Sequence, residues 1–278
     1  MPDSLFGDSD SEDDPQAQAE RTSNASVSDD FPLEIHSTTL RKADDGLSES
    51  TGGSEDTIGT YTTSKLFATS EVPPIPGLYL FQNAIPVSLQ GSLALSLSAS
   101  IWPASSNQVM LFDSPSHSSL PEFFSPLLDL LPSILWPLPD ALKDILYDVT
   151  KPRQCILNLY HPGQGISAHV DLPSRYEDGI VGISLLSSTV MELTPVETDD
   201  ESGEDARGKK KSYALRLKPG SVYVLSGPAR YEYKHGIPYR EGDNVVDEDG
   251  SVTTIRRGVR MSITLRRMKE GAEIIGPS

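Results

Sequence analysis

A histidine and an aspartate lie two residues apart in the segment SAHVDLP, residues 167–173. Side chains two apart on a strand point to the same face, so His169 and Asp171 are predicted to share one cavity. An imidazole and a carboxylate are both metal ligands, although such a pair also arises by chance in structural positions. The spacing therefore indicates a candidate metal site that requires at least one further ligand.

The third ligand must come from a short list, because the chain has five histidines. His36 lies in a polar N-terminal region, His117 in a Ser/Pro-rich loop and His161 in the turn YHPGQG, whereas His235 follows the β-rich segment YEYK. Because His235 is predicted to end a strand, it is the favoured candidate for the third ligand. Two imidazoles and one carboxylate, with the other positions open, form the facial triad of non-haem Fe(II) oxygenases. A structural role for each histidine is the alternative.

A second candidate site lies on the C-terminal strand RMSITLR, residues 260–266. Apolar and polar residues alternate there, and Arg260 and Arg266 end its polar face, roughly 20 Å apart. The planar guanidinium fork binds carboxylates, so two extended arginine side chains that lean towards each other can bracket a small dicarboxylate, one at each end. The strand CILNLY similarly places Asn158 and Tyr160 on one face. A strand whose polar face lies in water is the alternative.

The acidity of the chain is concentrated in its N-terminal quarter. The formal net charge is −17; residues 1–70 hold 15 acidic and 4 basic side chains (−11), and the other 208 residues hold 25 and 19 (−6). Few large apolar residues occur before residue 71, so 1–70 is predicted to be a disordered acidic tail and 71–278 the folded domain. The tail is a candidate site for an unknown protein partner, although a solvated segment is the simpler interpretation.

The elements that must position these residues are mainly strands. Seven short β-rich segments follow Cys155, separated by glycines, prolines or acidic turns, and they predict a sandwich, barrel or jelly roll. Short helices are predicted at 89–99 and within 120–150, where Pro139–Asp140 suits a helix start. The polar insert 194–211 is predicted to be a loose hairpin tip. The sequence gives no oligomeric state.

The location is predicted to be intracellular, in cytoplasm, nucleus or both. One cysteine, Cys155, excludes an internal disulfide framework and fits a reducing compartment. No apolar run reaches the length of a membrane span, and the start of the chain lacks the features of a secretory signal. No membrane association is therefore expected.

Together these segments resemble the AlkB-like Fe(II)/2-oxoglutarate-dependent dioxygenase family. The resemblance covers about residues 75–268 and rests on NLYHPGQGISAHVD, GISLLSSTVMEL, KPGSVYVLSGPARYEYKHGI and RRGVRMSITLR, in that order. It implies a double-stranded β-helix (jelly-roll) core flanked by short helices, with Fe(II), 2-oxoglutarate and O₂ as cofactor and co-substrates. The residues it implies for iron are His169, Asp171 and His235. Those it implies for 2-oxoglutarate are Asn158, Tyr160, Arg260 on the distal carboxylate and Arg266 nearer the metal.

The resemblance also implies the type of reaction and a range of substrates. Hydroxylation of a C–H bond would be coupled to conversion of 2-oxoglutarate to succinate and CO₂, and a hydroxylated N-methyl group would release formaldehyde. Several motifs are most similar to the tRNA-hydroxylating branch, whereas GISLLSSTVMEL and KPGSVYVLSGPARY are equally similar to a mitochondrial branch not known for nucleic-acid repair. Nucleic acid (RNA, tRNA or alkylated DNA) is the expected substrate. A protein or small-molecule hydroxylase and a non-catalytic interaction protein are the alternatives. The acidic insert 240–254 is predicted to be a flap or an inert loop.

Overall fold

The computed structural model is mostly β with short flanking helices, which confirms the predicted fold class. It describes residues 66–102, 107–116, 118, 120–197 and 210–272. In chain order the elements are β1 (Leu78–Phe81), α1 (Val87–Ser100), β2 (Gln108–Asp113), α2 (Ser125–Ile134), α3 (Asp140–Leu146), β3 (Arg153–Tyr160), β4 (Ile166–His169), β5 (Tyr176–Leu185), β6 (Thr189–Pro195), β7 (Tyr213–Leu217), β8 (Ser221–Leu225), α4 (Gly227–Tyr231), β9 (Tyr233–Ile237), β10 (Gly242–Val246), β11 (Val252–Arg256) and β12 (Arg260–Met268). Among the described residues, no helix is both long and apolar enough to cross a membrane.

The strands wind back and forth between two antiparallel sheets. The larger sheet has the order β1-β8-β5-β12-β3-β2, and the smaller one has the order β4-β9-β6-β7. Along the chain, β3, β5, β8 and β12 belong to the larger sheet, while β4, the β6–β7 pair and β9 belong to the smaller one. This alternation is the winding of a jelly roll, as predicted.

The pleat of β12 separates an apolar outer face from a polar inner face. Met261, Ile263 and Leu265 are buried in a cluster that includes side chains from α1, α2 and α3. The alternate residues, including Arg260 and Arg266, point to the opposite face, towards the smaller sheet. A second apolar cluster, with Ile180 and Leu225 from one sheet and Leu193 and Leu215 from the other, joins the two sheets. The inner face is therefore enclosed.

The predicted helices cover the outer face of the larger sheet. Pro139 precedes the first residue of α3, as predicted, and Leu142 and Leu146 are buried against β5. Gly179 of β5 permits this close packing, because a Cβ there would lie 2.8 Å from a methyl group of each leucine. Its φ of +83° is also a backbone conformation that glycine adopts readily. The outer helices thus pack directly on a central strand.

The start of the described fold lies slightly before the predicted domain boundary. Ala68 is fully buried and pairs with Val245, and Thr69 pairs with Leu215. Residues 66–70 therefore belong to the folded part rather than to the predicted 1–70 tail. The rest of that tail, residues 1–65, lies outside the described residues, as does most of the 194–211 insert.

The 240–254 insert forms a hairpin, β10–β11, with a buried carboxylate at its base. Asp243 is fully buried and accepts two hydrogen bonds of 2.7 Å from Nε and Nη2 of Arg257. Arg240 Nε and the backbone N–H of Val190 donate to the same carboxylate, at 2.7 and 3.2 Å. The bidentate ion pair joins the two ends of the hairpin, and the hydrogen bond from Val190 ties the same carboxylate to β6, so the base of the hairpin is a rigid part of the fold.

Replacing Asp243 tests this anchor. In Asp243→Ala the buried Arg257 guanidinium loses its counter-charge, which should lower the free energy of unfolding by roughly 3–5 kcal/mol in urea titrations. Asp249→Asn, at an exposed position in the turn of the same hairpin, is the control and should change it by less than about 0.5 kcal/mol. Equal effects of the two substitutions would contradict the anchoring role.

Candidate metal centre

Two strands of the smaller sheet bring His169 and His235 side by side. His169 ends β4 and lies directly opposite His235 of β9 in the antiparallel register. Their ring centroids are 4.5 Å apart, with the rings tilted by 48°. The strands approach closely because Gly236 lacks a side chain; a Cβ there would lie 2.8 Å from backbone atoms of Ala168. The register therefore places two imidazoles within reach of one ion.

Asp171 joins this pair from the connection that follows β4. The residue is 5% exposed, and its Oδ2 lies 3.7 Å from Nε2 of His235. One potential ligand atom from each of His169, Asp171 and His235 lies within 4.8 Å of the others. The expected reason for this convergence was a shared strand face, but β4 ends at His169. Asp171 is instead held by contacts outside the strand ladder.

Burial keeps both imidazoles neutral, and a hydrogen bond sets the tautomer of His169. Nδ1 of His169 donates to the Ser167 carbonyl oxygen at 2.8 Å, which leaves Nε2 as the free lone pair. Burial lowers the pKa of His169, and it lowers the pKa of His235 to about 3, with the nearby His169 and Arg230 adding to the effect. Both rings are thus kept neutral, which is the form that binds metals.

Arg266 connects the metal group to the larger sheet. Its Nη1 contacts Oδ1 of Asp171, and its Nε donates to Gln154 Oε1 at 2.8 Å. The guanidinium also lies over the ring of Tyr176, with 3.6 Å from Cζ to the ring centroid. Burial lowers the pKa of Arg266 to about 9, still high enough to keep it charged at neutral pH. Arg266 therefore holds the candidate carboxylate ligand in place.

Arg260, at the other end of the same strand face, keeps a donor free. Its Nε donates to Ser184 Oγ at 3.0 Å, and its Cζ lies 5.4 Å from the centroid of the Tyr160 ring. Nη1 of Arg260 is buried and has no hydrogen-bond partner among the described residues. A buried, unpaired guanidinium N–H is suited to a ligand carboxylate.

Asn158 and Tyr160 line β3 beside this arginine. In the β3–β12 register, Tyr160 lies opposite Arg260 and Asn158 opposite Ser262. The Asn158 side-chain oxygen accepts a hydrogen bond from Gln108 Nε2 at 2.8 Å. Burial raises the pKa of Tyr160, an effect that the charge of Arg260 opposes, so the phenol stays protonated. The structure thus brings the seven predicted residues between the two sheets, four on the larger sheet and three on the side of the smaller one; their roles as ligands stay predictions.

A further polar layer on this face, from β5 and β8, was missed by sequence reasoning. Ser184 of β5 holds Arg260, and two residues before it Gly182 leaves room for the ring of Tyr223, where any Cβ would overlap that ring. Burial raises the pKa of Tyr223, and the nearby Arg260 opposes the shift. The signal was present in GIVGISLL, because a glycine and a serine two apart interrupt an otherwise apolar strand.

Comparison with known proteins agrees with this chemistry. Residues 113–266, or 154 of the 278 residues, match the protein family described as the 2OG-Fe(II) oxygenase superfamily. That family uses Fe(II), 2-oxoglutarate and O₂. The donor set fits these groups, because three neutral or anionic ligands converge and a buried arginine donor faces the same enclosure.

Several curated proteins are similar to part of the chain. The tRNA (carboxymethyluridine(34)-5-O)-methyltransferase ALKBH8 of Macaca fascicularis is 33% identical over 43% of this chain and 18% of its own length. The alkylated DNA repair protein ALKBH8 homolog of Arabidopsis thaliana is 38% identical over 42% and 34%. The mitochondrial alpha-ketoglutarate-dependent dioxygenase alkB homolog 7 of Bos taurus is 34% identical over 43% and 50%. The chain thus spans half or less of the length of these relatives.

The buried His235 makes the stability of the metal-free protein depend on pH. Its pKa is about 3 in the folded state and 6.5 ordinarily, so between these values the unfolded state binds a proton that the folded state does not. The free energy of unfolding should therefore fall as the pH drops from about 6.5 towards 3. In His235→Gln this fall should be shallower, as measured by urea titrations in the presence of a chelator.

His161→Gln, which changes an exposed histidine in a turn, is the control and should keep the wild-type pH dependence. If His235→Gln and the wild type lose stability in parallel, a buried neutral His235 is contradicted.

Proposed function

This chain belongs to the 2OG-Fe(II) oxygenase superfamily and is AlkB-like within it, and on that premise we propose that it oxidises a nucleic-acid substrate. The reaction is hydroxylation or demethylation, on RNA, tRNA or alkylated bases. The observation that carries the proposal is the convergence of His169, Asp171 and His235 between the same two sheets as Arg260, whose Nη1 has no hydrogen-bond partner among the described residues.

The three converging side chains are assigned to the iron. Two imidazoles and one carboxylate on one side of an ion leave its remaining positions open to other ligands. Bound Fe(II) and 2-oxoglutarate supply, together with O₂, the oxidising capacity for C–H hydroxylation, with succinate and CO₂ as coproducts. His169 contributes through Nε2, since its Nδ1 is occupied by the Ser167 carbonyl.

Arg260 is assigned to the distal carboxylate of 2-oxoglutarate. A buried donor without a partner costs about 1–3 kcal/mol, and a bound carboxylate removes that cost. Asn158 and Tyr160 lie on the same face and add hydrogen-bonding groups. Arg266 is already bound to Asp171 and therefore orients the metal end of the enclosure. The two arginines on one strand face thus receive different roles.

The enclosure excludes water from these charged groups. Asp171, Arg260 and Arg266 are all buried between the two sheets, where each charge-assisted hydrogen bond is stronger than it would be in water. A substrate group that reaches this enclosure would meet fixed charges rather than mobile solvent. The protein's contribution to catalysis is thus positioning and desolvation.

The choice of nucleic acid is supported by the names of two relatives, a tRNA-modifying enzyme and a DNA-repair homologue. A protein or small-molecule hydroxylase is the second candidate. It is favoured by the mildly acidic composition of residues 71–278 and by the pairing of Lys210 with Glu232 at 2.7 Å, which offsets part of the short basic run Lys209–Lys211. A non-catalytic role is disfavoured, because all seven candidate site residues are present.

The proposal includes an intracellular setting, in cytoplasm, nucleus or both, as predicted from the sequence. The acidic N-terminal region is kept as the candidate site for an unknown protein partner. Neither part affects the assignment of the metal and co-substrate residues.

Arg260→Lys tests the co-substrate assignment. Lysine keeps the charge but loses the planar fork, so the KM for 2-oxoglutarate should rise roughly 10- to 100-fold while Fe(II) affinity stays unchanged. Succinate formation as a function of 2-oxoglutarate concentration measures the effect. Arg256→Lys, at an exposed position on β11, is the control and should behave like the wild type. An unchanged KM in Arg260→Lys would remove Arg260 from the co-substrate site.

A substrate screen tests the nucleic-acid proposal. The chain is incubated with Fe(II), 2-oxoglutarate and O₂ together with modified tRNA, methylated RNA and DNA oligonucleotides, or peptides, and succinate and formaldehyde are measured. At least one nucleic acid should stimulate succinate formation, and His169→Ala should abolish it. Stimulation by peptides alone would favour the second candidate, and absence of any iron-dependent turnover would refute the enzyme assignment.

A further inference from the structure

Arg230 is a fully buried arginine whose guanidinium group is bonded to main-chain carbonyls rather than paired closely with a carboxylate. It lies in α4, between β8 and β9, and is 1% exposed. Its Nε donates to the carbonyl of Glu177 at 3.1 Å, Nη2 to that of Tyr176 at 3.0 Å and Nη1 to that of Asp171 at 3.3 Å. The planar fork thus contacts three peptide groups at once.

These three carbonyls bracket the connection between β4 and β5. Asp171 lies near its start, and Tyr176 and Glu177 are the first two residues of β5. Within the connection, the backbone N–H groups of Arg175 and Tyr176 both bond to the Leu172 carbonyl, which makes a local turn. Arg230 ties both ends of that turn to α4.

Asp171 needs such a tie because no strand ladder holds its backbone. β4 ends at His169, and the contact of Arg266 with Asp171 involves the carboxylate and not the backbone. Nη1 of Arg230 holds the Asp171 carbonyl, and Nη2 holds the carbonyl of Tyr176, whose ring lies under the Arg266 guanidinium. The same segment, α4–β9, carries His235 five residues later.

We infer that Arg230 is a positioning residue, which sets the place of Asp171 relative to His235 by clamping the 171–177 connection to α4. The inference rests on the proposed metal site. Arg230 touches neither metal nor co-substrate in this assignment; it acts through the main chain of a ligand. A lysine cannot replace it, because one ammonium on a flexible stem does not span three carbonyls.

The ionic surroundings of Arg230 agree with this role. Its nearest carboxylate oxygen, Oδ1 of Asp178, lies 3.9 Å from Nε, beyond hydrogen-bond distance. Asp178 instead accepts hydrogen bonds from the backbone N–H groups of Gly227, at 3.1 Å, and Gly179, at 2.8 Å. The carboxylate therefore fixes the start of α4, and the guanidinium is left to the connection that carries Asp171.

Arg230→Lys in the full chain tests the inference, with Co(II) as the probe. Anaerobic titration, followed by the visible absorption of bound Co(II), gives the affinity and reports coordination geometry. The Kd for Co(II) should rise roughly 10-fold or more, and the absorption spectrum should change, since loss of a group that orients a ligand typically costs 10- to 100-fold in metal affinity. Thermal unfolding of the metal-free protein is measured in parallel.

Arg267→Lys is the matched control. Arg267 is also buried, and it also donates to main-chain carbonyls, those of Leu146 at 3.1 Å and Lys151 at 2.8 Å, on the outer side of the sheet. This variant should lose stability but keep the wild-type Co(II) affinity and spectrum. If Arg230→Lys behaves in the same way, Arg230 is merely structural and the inference is wrong.

Hydrogen exchange of the wild-type protein decides the matter if Arg230→Lys does not fold. Co(II) should slow exchange at the amides of Arg175, Tyr176 and Gly227 together, because the clamp couples them to the metal ligands. Protection confined to β4 and β9 would overturn the inference. If Co(II) does not bind the wild type in a way that His169→Ala abolishes, the proposed metal site itself fails.

Discussion

The contact between the buried Asp171 carboxylate and the Arg266 guanidinium joins the two sheets at the candidate metal centre. Asp171 follows β4 of the smaller sheet, and Arg266 lies on β12, near the middle of the larger one. Both side chains are buried, so removing one would leave the other as an uncompensated buried charge. This ion pair therefore fixes the carboxylate next to the two histidines and sets how the two halves of the enclosure meet.

The other constraint is the difference between two arginines on one strand face. Arg266 is satisfied within the protein by Asp171 and Gln154, whereas Arg260 keeps a buried N–H without a partner among the described residues. A buried N–H of this kind is suited to the carboxylate of a ligand. Arg260 lies six residues from Arg266, at the opposite end of the face from Asp171, and the proposed co-substrate is an elongated diacid lying between Arg260 and the metal group.

Local sequence patterns predicted part of the fold and of the candidate site. The period-two alternation in 260–266 indicated which residues of β12 share a face, because pleat direction depends only on neighbouring residues. The spacing of His169 and Asp171 indicated a metal site, although Asp171 lies beyond the end of β4 and does not share a strand face with His169. Non-local contacts were not predictable in this way. The packing of the Tyr223 ring on Gly182 joins residues 41 positions apart. The contact of Arg230 with the connection after β4 joins residues up to 59 positions apart.

A crystal structure with Mn(II) and 2-oxoglutarate bound would test the central claim most directly. We expect one metal ion in contact with His169 Nε2, the Asp171 carboxylate and His235 Nε2, with the distal carboxylate of the diacid on Nη1 of Arg260. A metal ion bound elsewhere, or a diacid whose distal carboxylate lies away from Arg260, would contradict the account.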